Sequence, residues 1–470
     1  MEPINIGNRK QLFVDDALIE KSSALELTMN PPHRTSNPLI QKDRPWEQGG
    51  PSSGIWRMNS CVLPENDTIR LWYESMGDDY RHTCYAESTD GVNFTKPELG
   101  LVEVDGSKDN NIVQSGPIGG GTIWMDPHAP DEERYRTLRK TRPGGQLGLY
   151  SSPDGLRWET TRMYTIGSCD TQSVAFWDPA YDSYVLYTRL WIDSNDRRER
   201  YRTHRRLTSE DLSKWVDDRV VLEADGDDLL APIKTNRPAM DYYGGGVFKY
   251  PDQNGIYFML AQAYWHWQRW EEGKRSDQPA TTDVRLFASR DGRHFSRPGG
   301  KRPFMRLGPA GQFDSMAVWA MPNPVITDDE VWIYYAGSNK DHDHNIDPAT
   351  PSGEHIGAIS RVVMRLDGFV SADASYTGGE ILTVPLRFEG DKLILNLDTS
   401  GGGWCVVEIL DPEGNPIEGF SGPDAVPLVG NSVRMPVTWQ NERQLSPLAN
   451  KPVRLRFRMR DCKLYAFKFV

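Results

Sequence analysis

The chain has 470 residues, with 54 basic against 66 acidic side chains for a formal charge of −12, and it carries 42 glycines and 33 prolines. Scattered charge of that sign disfavours a nucleic-acid surface, which needs concentrated Lys and Arg, and no apolar run approaches the ~20 residues that cross a bilayer. Long helical periodicity is nearly absent, so the Gly and Pro content asks for many short strands and tight turns, in a chain long enough for two domains.

Met1-Glu2-Pro3 has neither a basic segment nor an apolar one behind it. The expectation is a cytoplasmic protein, with a secreted form trimmed of its leader as the alternative. Cys61, Cys84, Cys169, Cys405 and Cys462 contain no C-x-x-C pair, which reads as reduced buried thiols rather than a zinc site or a disulfide framework. The sequence calls for no cofactor and leaves the oligomeric state open, a homo-oligomer included.

In chain order, Gln11–Ile19 reads as a strand that would close a ring by joining its last unit. Strands rich in aromatic and β-branched residues follow at Ile69–Glu74, Tyr135–Lys140, Tyr184–Arg189, Tyr257–Gln262 and Val331–Gly337. Behind the first four comes a seven-residue phrase, Ser-x-Asp-(Gly/Leu)-x-x-(Phe/Trp), at Ser88–Phe94, Ser152–Trp158, Ser209–Trp215 and Ser289–Phe295. Asp bonds its own backbone and Gly accepts positive φ, so each phrase is a turn. Asp90, Asp154, Asp211 and Asp291 are therefore turn residues. Asp367-Gly368-Phe369 is a degenerate fifth copy. Apolar runs closed by turns precede the later strands, for example Val174–Trp177 before Asp178-Pro179; Asp126 and Asp178 read as hairpin-turn acids. Each unit is then four antiparallel strands, which must stack on neighbours to bury both faces. The expected architecture is all-β: a five-bladed β-propeller over residues 1–372, the catalytic domain, then a C-terminal β-sandwich over 373–470. In the latter, Val453–Arg460 alternates apolar residues with four arginines; the arginine stripe reads as a solvated or domain-facing surface.

A propeller carries its chemistry at one end of the axis, so polar residues just before inner strands are the candidates. Glu47, Asp170, Asp241 and Asp314 stand at such places in four units, with Asp170 and Asp241 the better pair because each directly precedes a well-formed strand. Converging carboxylates suit glycoside hydrolysis, in which one acid donates a proton while another stays ionised; an acid before a strand can equally bond backbone amides. Arg57 and Arg237 could hold a carboxylate or a substrate anion. Trp265 and Trp267 would stack on sugar faces or pack under a loop, and His342 would line the channel mouth. The loop Lys340–Asp347 holds metal-type ligands but reads as a polar solvated loop, so no metal is expected. Gly119–Gly121 and Gly244–Gly246 precede strands, not helices, and make no phosphate cradle.

The repeated phrase resembles a shortened Asp-box hairpin of sialidases. Five units followed by an all-β domain resemble the superfamily of arabinanases, levansucrases and invertases. Gln11–Asp16 (QLFVDD), Arg365–Ser371 (RLDGFVS) and Pro452–Phe457 (PVRLRF) are similar to phrases in a group of bacterial chains classed as glycosidases. The resemblance covers nearly the whole chain and implies a five-bladed glycoside hydrolase fold. The invertase nucleophile motif is not matched at Trp56-Arg57-Met58-Asn59, so no site residue is carried over. The function expected is an exo-acting glycoside hydrolase on an oligosaccharide or glycoconjugate. A phosphorylase using cations at the mouth, or a non-catalytic glycan-binding module, are the alternatives.

Overall fold

A computed structural model describes residues 2–35, 37–48, 54–76, 81–115, 121–140, 146–167, 169, 172–193, 200–228, 240–251, 255–267, 280–342 and 346–470; the side chains of residues 54, 56–59, 193, 200 and 441 are not among the described atoms. The chain is all-β: among the described residues every regular element is a strand or a three-residue 3-10 turn. No helix among them is long and apolar enough to cross a membrane.

The strands form consecutive antiparallel units. The first is Gly54–Glu65, Thr68–Met76, Arg81–Ser88 and Ile112–Ser115; the second Ile123–Met125, Tyr135–Lys140, Leu147–Ser152 and Glu159–Tyr164; the third Val174–Asp178, Ser183–Asp193, Arg200–Ser209 and Val216–Leu222. An eight-stranded sheet supplies two more. Met240–Lys249, Tyr257–Trp265 and Thr282–Ser289 form one half. Ala317–Ala320, Glu330–Ser338, Gly357–Arg365 and His33–Arg34 form the other, with Val325–Ile326 beside Glu330–Ser338. A single parallel pair, Thr282 with Ala317, joins the halves.

Apolar faces bind these units in a cyclic order. Cys61, Trp72 and Tyr85 of the first unit pack with Ile123 and Tyr135 of the second. Leu138 and Leu149 of the second pack with Ala175, Leu186 and Leu207 of the third. Val185 and Tyr187 meet Tyr242 and Met259, and Phe258 and Leu260 meet Val318 and Ile333. Tyr334 and Ala336 of the fifth unit then share a core with Val62 and Leu71 of the first.

The repeated phrase fastens the same circle. In three copies Asp Oδ1 accepts from two amides just ahead of it, as Asp90 does from Val92 and Asn93, and Ser Oγ accepts from the Gly amide at 2.9 Å in the first two. Gly91, Gly155 and Gly292 sit at φ between 64° and 74°; the third copy forces Leu212 to φ 62°. The carbonyl at that position accepts a bond from the preceding unit every time. Trp72 Nε1 reaches Gly155 (2.8 Å), Tyr164 Oη reaches Leu212 (2.5 Å), Tyr187 Oη reaches Gly292 (2.7 Å), and Tyr334 Oη of the fifth unit reaches Gly91 (2.8 Å). At the degenerate copy Tyr250 Oη donates to Asp367 Oδ1 (3.0 Å). The hairpin acids act alike: Tyr184 donates to Asp126 (2.9 Å) and Tyr257 to Asp178 (2.6 Å), each from the next unit.

The N-terminal strand does not close the ring as expected. Gln11–Leu12 pairs with Cys462–Phe469, and it is His33–Arg34 that adds to the outer edge of the fifth unit. Leu12 alternates with Phe13, which is buried against Phe457 and Phe467, so burial of that ring fixes the partner. Ile19–Ser23 and Leu25–Met29 likewise pair with Gly379–Thr383 and Val370–Ala374. A six-stranded and a four-stranded sheet built mainly from residues after 370 share one core, Leu395, Leu464 and Phe467 against Ile381, Leu455 and Phe457. The arginine stripe is engaged: Arg456 and Arg458 pair with Glu408 (2.6 and 3.4 Å), Arg454 with Glu20, and Arg460 stacks on Tyr376.

Candidate functional site

The opening strand of each unit starts at the end where the second strand finishes, and the parallel bridge Gly121–Ser173 sets the second and third units the same way round. That end is here termed the mouth. On the third unit, Arg189 is register partner of His204 and Trp191 of Arg202. Strand alternation puts all four on one face, turned toward the fourth unit. There the opening strand carries a bulge: Tyr242 pairs with Ala263 and Gly244 with Gln262, leaving Tyr243 as the extra residue. A bulge re-aims a side chain, and Tyr243 meets three units. Arg202 and Arg189 lie over its ring at 4.3 and 5.4 Å, Tyr264 and Trp319 pack edge-on at 5.8 and 5.4 Å, and its hydroxyl is 3.2 Å from His342 Nε2.

Asp241, 2% exposed, is the acid of this cluster. Its Oδ2 accepts from the Arg202 amide (3.2 Å) and guanidinium (3.0 Å), and His266 Nε2 lies 3.4 Å from Oδ1. Burial alone would favour the neutral acid; the Arg202 charge, then His266, outweighs it and holds the carboxyl well below the usual range. Asp241 is therefore ionised and unsuited to donating a proton. Arg202 is buried too, which works against its charge, but Asp241 and the rings of Tyr243 and Tyr264 raise its pKa. It also stacks on Trp191 at 4.6 Å. Beside it, His204 is pushed down to about 3, by burial first and then by Arg189; it is neutral, and neither ring nitrogen has a hydrogen-bond partner among the described residues.

Glu47 and Asp314 sit in other surroundings. Glu47, fully buried as the last residue of the 3-10 turn Pro45–Glu47, accepts from the amides of Asp43 and Arg44, from Tyr73 Oη (2.5 Å) and from Lys96 Nζ (2.8 Å). Asp314 is bound by Arg34 and by Tyr335 Oη (2.9 Å). Among the described residues no hydrogen bond or ion pair joins either acid to Asp241. Asp170 and Arg237 lie outside the described residues, as does the Arg57 side chain. Trp265 and Trp267 are half-buried and stack on each other (5.8 Å, 18°), with Arg285 over Trp265 and Trp267 Nε1 donating to Thr281 Oγ1. His342 packs against Tyr243 and Tyr264, so it does join the cluster. The loop acids Asp341 and Asp347 accept from the amides of Ala280 and Gly311, and among the described residues no three His, Cys, Asp or Glu side chains gather as metal ligands.

Reasoning from sequence missed Arg202, Trp191, Tyr243 and Tyr264. The signal was a cation and an aromatic two apart in otherwise apolar strands, Arg189–Trp191, which gains meaning only once the register sets Arg202 opposite. A separate cleft of about 330 Å³ lies between the fifth unit and the C-terminal sheets, near Lys10, Tyr250 and Arg434. Of the two acids that line it, Asp367 is held by Lys10 (3.0 Å), Tyr250 and Asn396, and the backbone carbonyl of Asp328 accepts from Arg434.

No family model and no curated protein matches the sequence. Solved structures that it is similar to include an N-acetylgalactosamine deacetylase from F. plautii in complex with blood group B trisaccharide, at 14% identity and TM-score 0.47, covering 74% of this chain and 97% of that one. A glycosyl hydrolase from Bacteroides ovatus matches at 15% and 0.44 over 72% and 94%. A thermostable family-43 glycoside hydrolase matches at 15% and 0.44 over 69% and 94%.

Proposed function

We propose that the chain is an exo-acting glycoside hydrolase. Its five units are read as the blades of a propeller and its two C-terminal sheets as a β-sandwich. The domains are taken as 1–372 and 373–470, with the strands between Ile4 and Met29 and the start of Val370–Ala374 lent to the second. The observation that carries the reading is Asp241: a buried carboxylate kept ionised by Arg202 at the mouth, where it could attack the glycosidic carbon as nucleophile, or as base take a proton from the water that does. Asp170, directly before the third unit's opening strand, is the proposed proton donor. Trp265, Trp267 and His342, with Arg57 and Arg237, are the proposed substrate contacts. Glu47 and Asp314, whose hydrogen bonds and ion pairs are made apart from the cluster of Arg202, Tyr243 and His342, are assigned to the scaffold.

Bonds between the units support removal of terminal sugars as the reading of the mouth. Gln172 and Gln262 both donate to the Ala320 carbonyl (3.5 and 3.2 Å), tying the third and fourth units to the fifth, and Asn323 reaches the carbonyls of Val62 and Ile123 in the first and second. These bonds link all five units, and units tied together in this way suit a site that takes a chain end.

Screening aryl glycosides and natural oligosaccharides should find turnover that Asp241→Asn or Asp170→Asn lowers by orders of magnitude. Full activity in both variants removes the assignment. One observation favours phosphorolysis as the second reading: Arg189 and Arg202 both stack on Trp191 and Tyr243 beside Asp241, where they could attract an anion. Strict dependence of product on inorganic phosphate would select it.

A further inference from the structure

We infer that Cys405 and Cys462 are a reactive dithiol, which a small neutral or cationic disulfide oxidises to an intramolecular bond between the two C-terminal sheets. The inference is independent of the reading of the mouth. Both cysteines are free, and they lie in the core that those sheets share, 0% and 3% exposed. Cys405 belongs to the four-stranded sheet, and Cys462 opens the last strand of the six-stranded one. A corner of the chain brings them together. Cys405 is register partner of Met459, and Trp404 of Arg460; paired residues stand about 4.5–5.5 Å apart. The chain then changes sheet within one residue, because Asp461, at φ 44°, separates the strand ending at Arg460 from the one starting at Cys462. This corner folds back over the start of the Cys405 strand: a Cβ on Gly403 would collide with the carbonyl oxygens of Arg460 and Asp461. From facing sheets the two thiols meet in one core, and the Cys462 thiol, ahead of burial, pushes the Cys405 thiol up. A disulfide needs a short span with both Cβ atoms turned toward one another, which the corner supplies.

The two thiols differ in access. Cys462 borders a surface pocket of about 630 Å³, together with Leu25, Ser375, Ser400 and Asp461. Cys61, Cys84 and Cys169 pack elsewhere, each in a separate core. The reaction therefore has an order. Cys462 loses its proton and attacks one sulfur of the incoming disulfide; that S–S bond breaks, the departing thiolate takes up the proton, and a mixed disulfide is left in the pocket. Cys405 then attacks the Cys462 sulfur, and its proton passes to the second thiolate as that leaves. Two protein thiols lose two electrons and the reagent disulfide gains them as two thiols, so no further reactant is needed. Charge selects the reagent. Glu26, Asp373, Asp398 and Asp461 line the pocket against one cation, Lys463, which Asp373 already holds. Such a pocket draws in a cationic disulfide and repels an anionic one.

The test treats the folded full chain with cystamine or with oxidised glutathione at equal concentration. The reaction is quenched with acid, remaining thiols are blocked with N-ethylmaleimide, and peptides are mapped by mass spectrometry. Two of the five thiols should disappear as one Cys405–Cys462 disulfide, with Cys61, Cys84 and Cys169 still alkylated. Cystamine should react on the order of tenfold faster than oxidised glutathione at low salt, and added salt should shrink the difference. Cys405→Ala should stop at a mixed disulfide on Cys462, whereas Cys462→Ala should leave Cys405 unreacted. Should both variants misfold, the wild-type peptide map decides alone. The inference is overturned if cystamine yields no Cys405–Cys462 disulfide in the folded chain. It is equally overturned if all five cysteines react alike, which is oxidation through unfolding. Faster reaction with oxidised glutathione would overturn the reagent class.

Discussion

Two sets of carboxylates in this chain are held ionised, by different means. In the repeated turns the lowering is local. At Asp90 the amides of Asn93 and Val92 do it, and at Asp154 burial opposes while the amides of Arg157 and Leu156 prevail. At the mouth, Asp241 is lowered by a guanidinium from another strand of another unit, against complete burial. A turn acid carries its partners within three residues and would be satisfied in many folds. Asp241 is satisfied only if the third and fourth units meet in register, which is the arrangement expected of a functional group and the costlier one to disturb.

Removing the remote partner is the strongest test of that contrast. Arg202→Met leaves Asp241 buried with His266 and the amide of residue 202 but no guanidinium, and breaking a buried ion pair costs about 3–5 kcal/mol; denaturant titration should find it. A loss under about 1 kcal/mol, the range of exposed pairs, would show that water reaches Asp241 and would dissolve the distinction.

The turns themselves separate strain from packing. Gly106, at φ 80°, has nothing within 4 Å of an added Cβ, whereas at Gly91, at φ 72°, the Cβ would lie 2.6 Å from Trp332 and 2.7 Å from Tyr334 Oη. Gly106→Ala should cost about 1–2 kcal/mol of backbone strain. Gly91→Ala adds overpacking against the fifth unit, about 1–3 kcal/mol more. Equal losses at the two positions would mean that the turn does not press on its neighbour.

The turns were legible because their chemistry is contiguous: Ser88, Asp90 and Gly91 bond one another, and the phrase recurs wherever that geometry does. The same phrase could not reveal Tyr334 as its partner, since that contact depends on the first and last units meeting. Gln11–Leu12 shows the limit for strands. Its alternation was readable, but its pairing with Cys462–Phe469 was chosen by a core at the far end of the sequence. At the mouth, Asp241 and His342 were visible as polar residues beside strands. Glu47 was visible in the same way and lacked any mark of Lys96, which neutralises it. The bulge that aims Tyr243 did leave a mark, the run Gly244–Gly246 inside a strand, but read along the chain that run raises only the question of a phosphate cradle.

Between these extremes lie the hydrogen bonds that join one unit to the next. Tyr187→Phe leaves the Gly292 carbonyl without its described donor, at about 1–2 kcal/mol. Tyr334→Phe removes one of two donors at Gly91, where Arg361 Nη1 remains at 3.3 Å, and should cost less; the two joints share no residue, so the double variant should lose the sum. Cooperation well beyond that sum would mean that the units are fastened as a circle in which opening one joint weakens the others.

The smallest expected effect is in the pH dependence, and it sharpens the local half of the comparison. Asp154 has a folded pKa below its unfolded value of about 3.9. Its contribution is therefore complete above that value and is lost as pH falls through the folded pKa. Wild type and Asp154→Asn should accordingly differ by a constant amount in urea midpoint between pH 5 and 8, and converge as the pH drops below about 4. The convergence should be shallow, because the Asp154 side chain is 33% exposed and its charge is partly screened by water. A gap that instead widened toward acid would mean that the turn binds the protonated carboxyl. The amides of Leu156 and Arg157 would then not be what holds it.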